Sequence, residues 1–230
     1  MGYPEVLVPR RPPGLAGLFL VLGGVLDPRV CVVIDYQNIH LTAHDLFAPP
    51  GLPVHECLIH PLRFAEQVIA LRATRQRDET QQRAVLTAVR VFRGSPSNAR
   101  DPYIYGISQR QRSEWTRDKR VDVVYRTLRY PQDWPNKPAQ EKGVDVLVAL
   151  KVVRAALDPQ FDVVILASHD TDLEPALEIA VGDGKAKIET AGWNGARVLR
   201  PSGVRLWHTA LTAADMVKTR DRFNYTPPRP

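Results

Sequence analysis

Two runs dominate the hydrophobic pattern of the chain. Residues 30–34 (Val-Cys-Val-Val-Ile) and 162–167 (Asp-Val-Val-Ile-Leu-Ala) are continuous, largely β-branched stretches, the pattern of strands buried on both faces of a parallel sheet. Residues 85–92, 121–128 and 186–191 read as further strands. Apolar positions at helical spacing predict a helix from Pro61 through Leu62, Ala65, Val68, Ile69 and Leu71, and another through Leu173, Leu177 and Ile179 that stops at Gly182 and Gly184. The polar segment 105–120 also reads as helical. A helix beginning near Gly143 and running to Leu157 is apolar over more than one face, which predicts a buried position. Strands alternating with helices imply crossovers, and therefore a mainly parallel sheet covered by helices on both faces.

The punctuation between these segments reads as loops. Pro49, Pro50, Gly51 and Pro53 predict a loop over residues 44–60, the run 94–98 a second, and Pro131, Pro135 and Pro138 a third. At the amino end, four prolines precede an apolar run, 15–26, that is too short to span a membrane and lacks the small-residue cleavage site of an export signal. The last residues, Thr226-Pro-Pro-Arg-Pro230, read as a disordered tail.

Composition narrows the class. With 230 residues, 44% hydrophobic and 24% charged, the chain supports one sizeable core, and two cysteines outside any C-x-x-C pair exclude a disulfide scaffold or a cysteine zinc site. A reducing cytoplasm is the simplest setting. The formal charge is +6, but it is unevenly spread: residues 72–129 hold fourteen Lys/Arg against six acids. Arginine in that density suits a polyphosphate partner, because guanidinium forks match phosphate oxygens; the competing explanation is a solvated helix face.

The acids carry the chemistry. In an open parallel sheet, ligands bind beyond the carboxyl ends of the strands. Asp35 directly follows the first strand, Asp170 and Asp172 follow the strand ending at Ala167, and Asp145 falls in the first turn of the helix opened by Lys142-Gly143-Val144. Four carboxylates in one crevice repel one another unless a hard divalent cation, Mg²⁺ or Mn²⁺, balances them.

Three motifs in order resemble the NYN domain family of PIN-like nucleases: Asp35-Tyr36-Gln37-Asn38, then Glu141-Lys142-Gly143-Val144-Asp145-Val146, then Ser168-His169-Asp170-Thr171-Asp172-Leu173. Leu206, Leu211, Ala214 and Asp215 are similar to the family's closing pattern. The resemblance spans residues 30–217, leaving 1–29 as a peripheral or disordered extension and 218–230 as a disordered tail. It implies a three-layer α/β/α PIN-like fold with a mainly parallel central sheet, and a metal-dependent endoribonuclease. Its catalytic set is Asp35, Asn38, Asp145, Asp170 and Asp172, the four aspartates holding Mg²⁺ or Mn²⁺. Lys142, Ser168, Arg93, Arg110 and Arg112 are then expected to contact the substrate, single-stranded RNA, with Tyr103, Tyr105 and Trp115 as stacking platforms. No membrane partner is expected, and homo-oligomerisation stays open.

His169 stands where the family commonly has glycine, and Leu173 where it commonly has phenylalanine. A bulky imidazole at that turn is expected to narrow the crevice, which favours the alternative of a non-cleaving PIN-like RNA-binding or scaffold module. An aspartyl-phosphate phosphotransferase ranks last, since it needs an acid where Gln37 stands. His40, His44, His55 and His60 lack paired ligand spacing, and Ser168 beside His169 lacks the frame of a hydrolase nucleophile.

Overall fold

A computed structural model describes residues 27–75 and 84–226. Six strands form the centre: β1 (Arg29–Asp35), β2 (Val85–Ser95), β3 (Val121–Thr127), β4 (Val163–Ala167), β5 (Lys187–Trp193) and β6 (Trp207–Leu211). Their order is β3-β2-β1-β4-β5-β6 and every pairing is parallel. The helices are α1 (Tyr36–Phe47), α2 (Pro61–Arg75), α3 (Pro102–Trp115), α4 (Val144–Leu157), α5 (Glu174–Asp183) and α6 (Ala213–Thr219).

Alternation along the strands builds two cores. Val30, Val32 and Ile34 of β1 face one side, where they pack with Ile39 of α1, Phe64 and Val68 of α2, and Met216 of α6. Cys31 and Val33 face the other, against Val148 and Val152 of α4 and Leu177 of α5. The result is three layers, α/β/α, as the pattern predicts. Because the chain runs outward from β1 to β3 and then returns to β4, the order reverses between β1 and β4, and a crevice opens beyond their carboxyl ends.

Four local expectations change. The polar residues after Asp35 open a helix, α1, so the irregular stretch begins only after Phe47. Strand β6 and helix α6, which the pattern does not resolve, complete the sheet edge. Helix α4 buries Val144, Val148 and Val152, but Val146 and Leu150 on its second apolar face are both 57% exposed. Residues 218–226, expected as a disordered tail, pack on the body: Asp221 N–H donates to the Leu58 carbonyl at 2.7 Å and Tyr225 is buried. The apolar run 15–26 and residues 227–230 lie outside the described residues. No helix among the described residues is long and apolar enough to cross a membrane. Both cysteines are free and buried.

Candidate functional site

Asp35 ends β1 at the reversal point and is 6% exposed. Burial pushes its carboxyl up to about 6, and the nearby carboxylates of Glu141 and Asp170 push the same way, against the Ser168 hydroxyl and the Asn38 backbone N–H. Ser168, the first residue after β4, donates from Oγ to Asp35 Oδ2 at 2.9 Å and accepts from the Asp170 N–H at 3.1 Å. The ends of β1 and β4 are thereby stitched together. Asn38 adds a second stitch, its Oδ1 accepting from the His169 N–H at 2.8 Å. Ser168 is 1% exposed, so the geometry makes it a support for Asp35 rather than the substrate contact expected of it.

His169 does not narrow the crevice. Its ring turns under β5, where Nε2 accepts from the Trp193 N–H at 3.1 Å, which leaves the proton on Nδ1 to donate to the Arg197 carbonyl at 2.8 Å. Burial lowers its basicity, consistent with that neutral tautomer. Space for the ring exists because residue 192 is glycine: a Cβ there would collide with the imidazole. The scaffold alternative thus loses the obstruction on which it leaned.

The remaining acids spread along the crevice. Asp170 caps the short turn Thr171–Leu173 by accepting the Asp172 N–H at 3.0 Å. The exposed Asp172 carboxylate has no hydrogen-bond partner among the described residues and is not one of the charges acting on Asp35. Asp145 is exposed in the first turn of α4, a helix whose opening needs glycine because Gly143 sits at φ +74°. Between Asp145 and Asp35 lies Glu141, which accepts the Gly94 N–H. Desolvation raises Glu141, with Arg93 opposing and Asp145 reinforcing the shift. Sequence reasoning passed over Glu141 as a site residue; its place four residues before Asp145, at the edge of the same motif, was the available signal. The charges form a chain, Asp170 to Asp35 to Glu141 to Asp145. No three His, Cys, Asp or Glu side chains among the described residues converge into a ready metal-ligand group. The donors are nonetheless hard oxygens around a buried, unbalanced carboxylate, which fits Mg²⁺ or Mn²⁺, cations that take one or two carboxylates and fill the rest with water.

The basic residues divide sharply. Arg93 lies 4.8 Å over the Tyr36 ring, donates to Gln111 Oε1 at 2.8 Å and keeps its Nε buried without a partner. Lys142 shares a hollow of about 530 Å³ with Arg126, Thr127 and Arg129, three cations and no acid. Arg110 instead donates to the Tyr225 carbonyl, and Arg112 stacks over Tyr125. Part of the arginine-rich segment is neutralised internally: Arg72 is buried against Glu189, and Arg120 pairs with Asp118 and Glu66. Trp115, expected as a platform, is 1% exposed and donates to Asp221 Oδ2 at 2.7 Å. Tyr105 is half-buried, while Tyr103 is 54% exposed on a cleft of about 1280 Å³ whose lining includes Glu141, the one member of the acid chain it touches, beside Gln37, Arg93 and Gly94. The four histidines 40, 44, 55 and 60 form no cluster; His40 is buried against the Val54 carbonyl and falls to about 4 through desolvation.

The family model of the NYN domain matches residues 29–200. No curated protein is significantly similar in sequence. Among solved structures, the chain is similar to a protein of unknown function from Vibrio parahaemolyticus, 16% identical, with 76% of this chain and 87% of that one covered at a TM-score of 0.47.

Proposed function

Because the chain belongs to the NYN domain family of PIN-like nucleases, we propose that it is a metal-dependent endoribonuclease that hydrolyses phosphodiester bonds of single-stranded RNA. The observation that carries this reading is Asp35, a carboxylate buried at the sheet's reversal point with two further acids acting on it. Asp35 and Asp170 would hold Mg²⁺ or Mn²⁺ with water completing the shell, and Glu141 and Asp145 would add negative charge along the crevice. A bound cation supplies charge stabilisation at the phosphate and a water of lowered pKa. Ser168 fixes one oxygen of Asp35, and Asn38 fixes the β4 end, so the carboxylates are positioned before substrate arrives. Lys142, Arg126 and Arg129, which have no ion-pair partner among the described residues, offer positive charge to a backbone phosphate near Asp145.

Incubating the full chain with labelled single-stranded RNA in Mn²⁺, Mg²⁺ or chelator, beside Asp145→Asn and Asp35→Asn, tests the reading. Cleavage confined to the metal-containing wild type is expected. Cleavage that survives chelation and both substitutions rejects the mechanism; RNA binding without cutting transfers support to the scaffold reading.

A further inference from the structure

The cleft beside the acids has a wall that the NYN match does not cover. Residues 220–226 lie beyond the matched range 29–200, yet they line the cleft together with the range's own contributions from α3 and the turn Val54–Glu56. This segment is held in place. The Arg220 guanidinium donates to the Glu56 carbonyl at 2.7 Å, the Arg220 carbonyl accepts from Arg63 at 3.0 Å, and Arg110 donates to the Tyr225 carbonyl.

Asp221 is the common anchor. Its Oδ2 accepts from Tyr225 Oη at 2.6 Å and from Trp115 Nε1 at 2.7 Å, while its Oδ1 accepts from the Phe223 N–H at 3.1 Å. Through one carboxylate, α3 and the C-terminal segment are tied to each other. Phe223 itself is 49% exposed, its ring 4.8 Å from that of the buried Tyr225. Tyr103, in the first turn of α3, presents a second exposed ring to the same cleft, and Arg222 presents a cation with no ion-pair partner among the described residues.

Singly scattered surface hydrophobics are ordinary, but two exposed rings from separate elements that line one cleft beside a cation form a coherent binding wall. Size argues against a small metabolite, since about 1280 Å³ exceeds the roughly 300–1,000 Å³ of such pockets. Continuity with Glu141 and Arg93 argues for the polymer that reaches the acids. We infer that the cleft is a stacking subsite for unpaired bases of the RNA strand, with Phe223 and Tyr103 as its platforms and Arg222 beside the backbone. This rests on reading the acidic corner as a ribonuclease centre. A duplex, whose bases already stack on one another, has no faces to offer.

Fluorescence anisotropy with a labelled single-stranded oligoribonucleotide, and with the same strand in a duplex, tests the subsite in full-length Asp35→Asn protein with Mg²⁺. Phe223→Ala and Tyr103→Ala, on separate elements, are each expected to weaken single-strand binding about 5- to 150-fold, the equivalent of about 1–3 kcal/mol per stacked base, while Phe223→Trp retains it. Unchanged melting of these variants establishes that the frame is intact. Wild-type affinity in both alanine variants, equal binding of duplex, or absence of single-strand binding overturns the inference. If the wild type cleaves RNA and the alanine variants bind normally, only the subsite falls. If the wild type never cleaves but the alanine variants lose binding, the subsite stands and the nuclease reading falls.

Discussion

The Ser168 hydroxyl, 2.9 Å from Asp35, is the side-chain donor that offsets the burial of that carboxyl. Ser168→Ala therefore raises the metal-free Asp35 carboxyl further, so that protons compete better with the cation and the acid limb of the pH–rate profile for RNA cleavage moves to higher pH. Loss of the bond also costs about 1 kcal/mol of stability. Rates measured from pH 5 to 8 in Mn²⁺ check the shift; an unmoved limb assigns the titration to another group.

Asp35 also sets a sign for metal-free stability. Its folded value of about 6 lies above the ordinary value of about 4, so between those limits the folded protein binds the proton more tightly than the unfolded chain. Stability contributed by the neutral form is present below about 4 and is lost as the pH rises through about 6. Asp35→Asn removes that dependence, and in chelator the variant should be more stable than wild type at pH 7.5 but not at pH 4. Urea denaturation at both values checks this, and parallel losses in the two proteins would refute it.

His169 and Gly192 form a matched pair, one supplying a ring and the other the space for it. Gly192→Ala forces the imidazole out of its bonds to Trp193 and Arg197, lowering stability by about 1–3 kcal/mol and obstructing cleavage. A second change, His169→Gly, should restore much of both, so the pair is strongly non-additive in a thermal-melt and rate cycle. Additive losses would mean that the two residues do not share the space.

Much of the layered fold is legible in the chain because both central strands, β1 and β4, are buried on two faces and read as unbroken apolar runs. Helix α1 is harder to see, since Asn38, His40 and Thr42 are weak helix formers and hide the spacing of Tyr36, Ile39 and Ala43. Edge strand β6 buries only alternate positions and mixes Trp, His and Thr. Within the site, Asp35 and Asp170 announce themselves as strand-end acids, whereas Glu141 gains its place from Gly94 on a strand forty-seven residues earlier. The destination of Arg72 is equally non-local, since nothing in its neighbourhood identifies Glu189 as its partner, whereas Arg120 finds Asp118 two residues away.

The hollow around Lys142 makes a prediction about binding rather than cleavage. Lys142→Ala and Arg126→Ala should weaken single-strand affinity to a similar degree for every sequence, because phosphates carry no base identity. Each should reduce the slope of log affinity against log salt by about 0.7 per lost contact. A titration series across salt concentrations in Asp35→Asn protein checks the slope, and a change that depends on base sequence would place these cations elsewhere on the strand.

Arg72 and Glu189 separate the structural arginines from the binding ones. The pair is almost fully removed from solvent, with Arg72 Nε 2.8 Å from Glu189 Oε2 and Lys187 at 3.1 Å from the other oxygen. Desolvation alone would raise Glu189, but the Arg72 guanidinium holds it below the usual carboxylate range. A lowered carboxyl contributes stability above its unfolded value, and loses it as the pH falls toward the folded one. Arg72→Met takes the buried bidentate guanidinium away from the Glu189 carboxylate, a loss of about 3–5 kcal/mol at neutral pH that shrinks on acidification. Replacing both partners, Arg72→Met with Glu189→Leu, should recover most of it, since no buried charge remains. RNA affinity per folded molecule stays unchanged in every variant, because this guanidinium never reaches the crevice. Melting curves at two pH values, set beside anisotropy titrations, decide the point; weakened binding in the stable double variant would return Arg72 to the phosphate-contacting set.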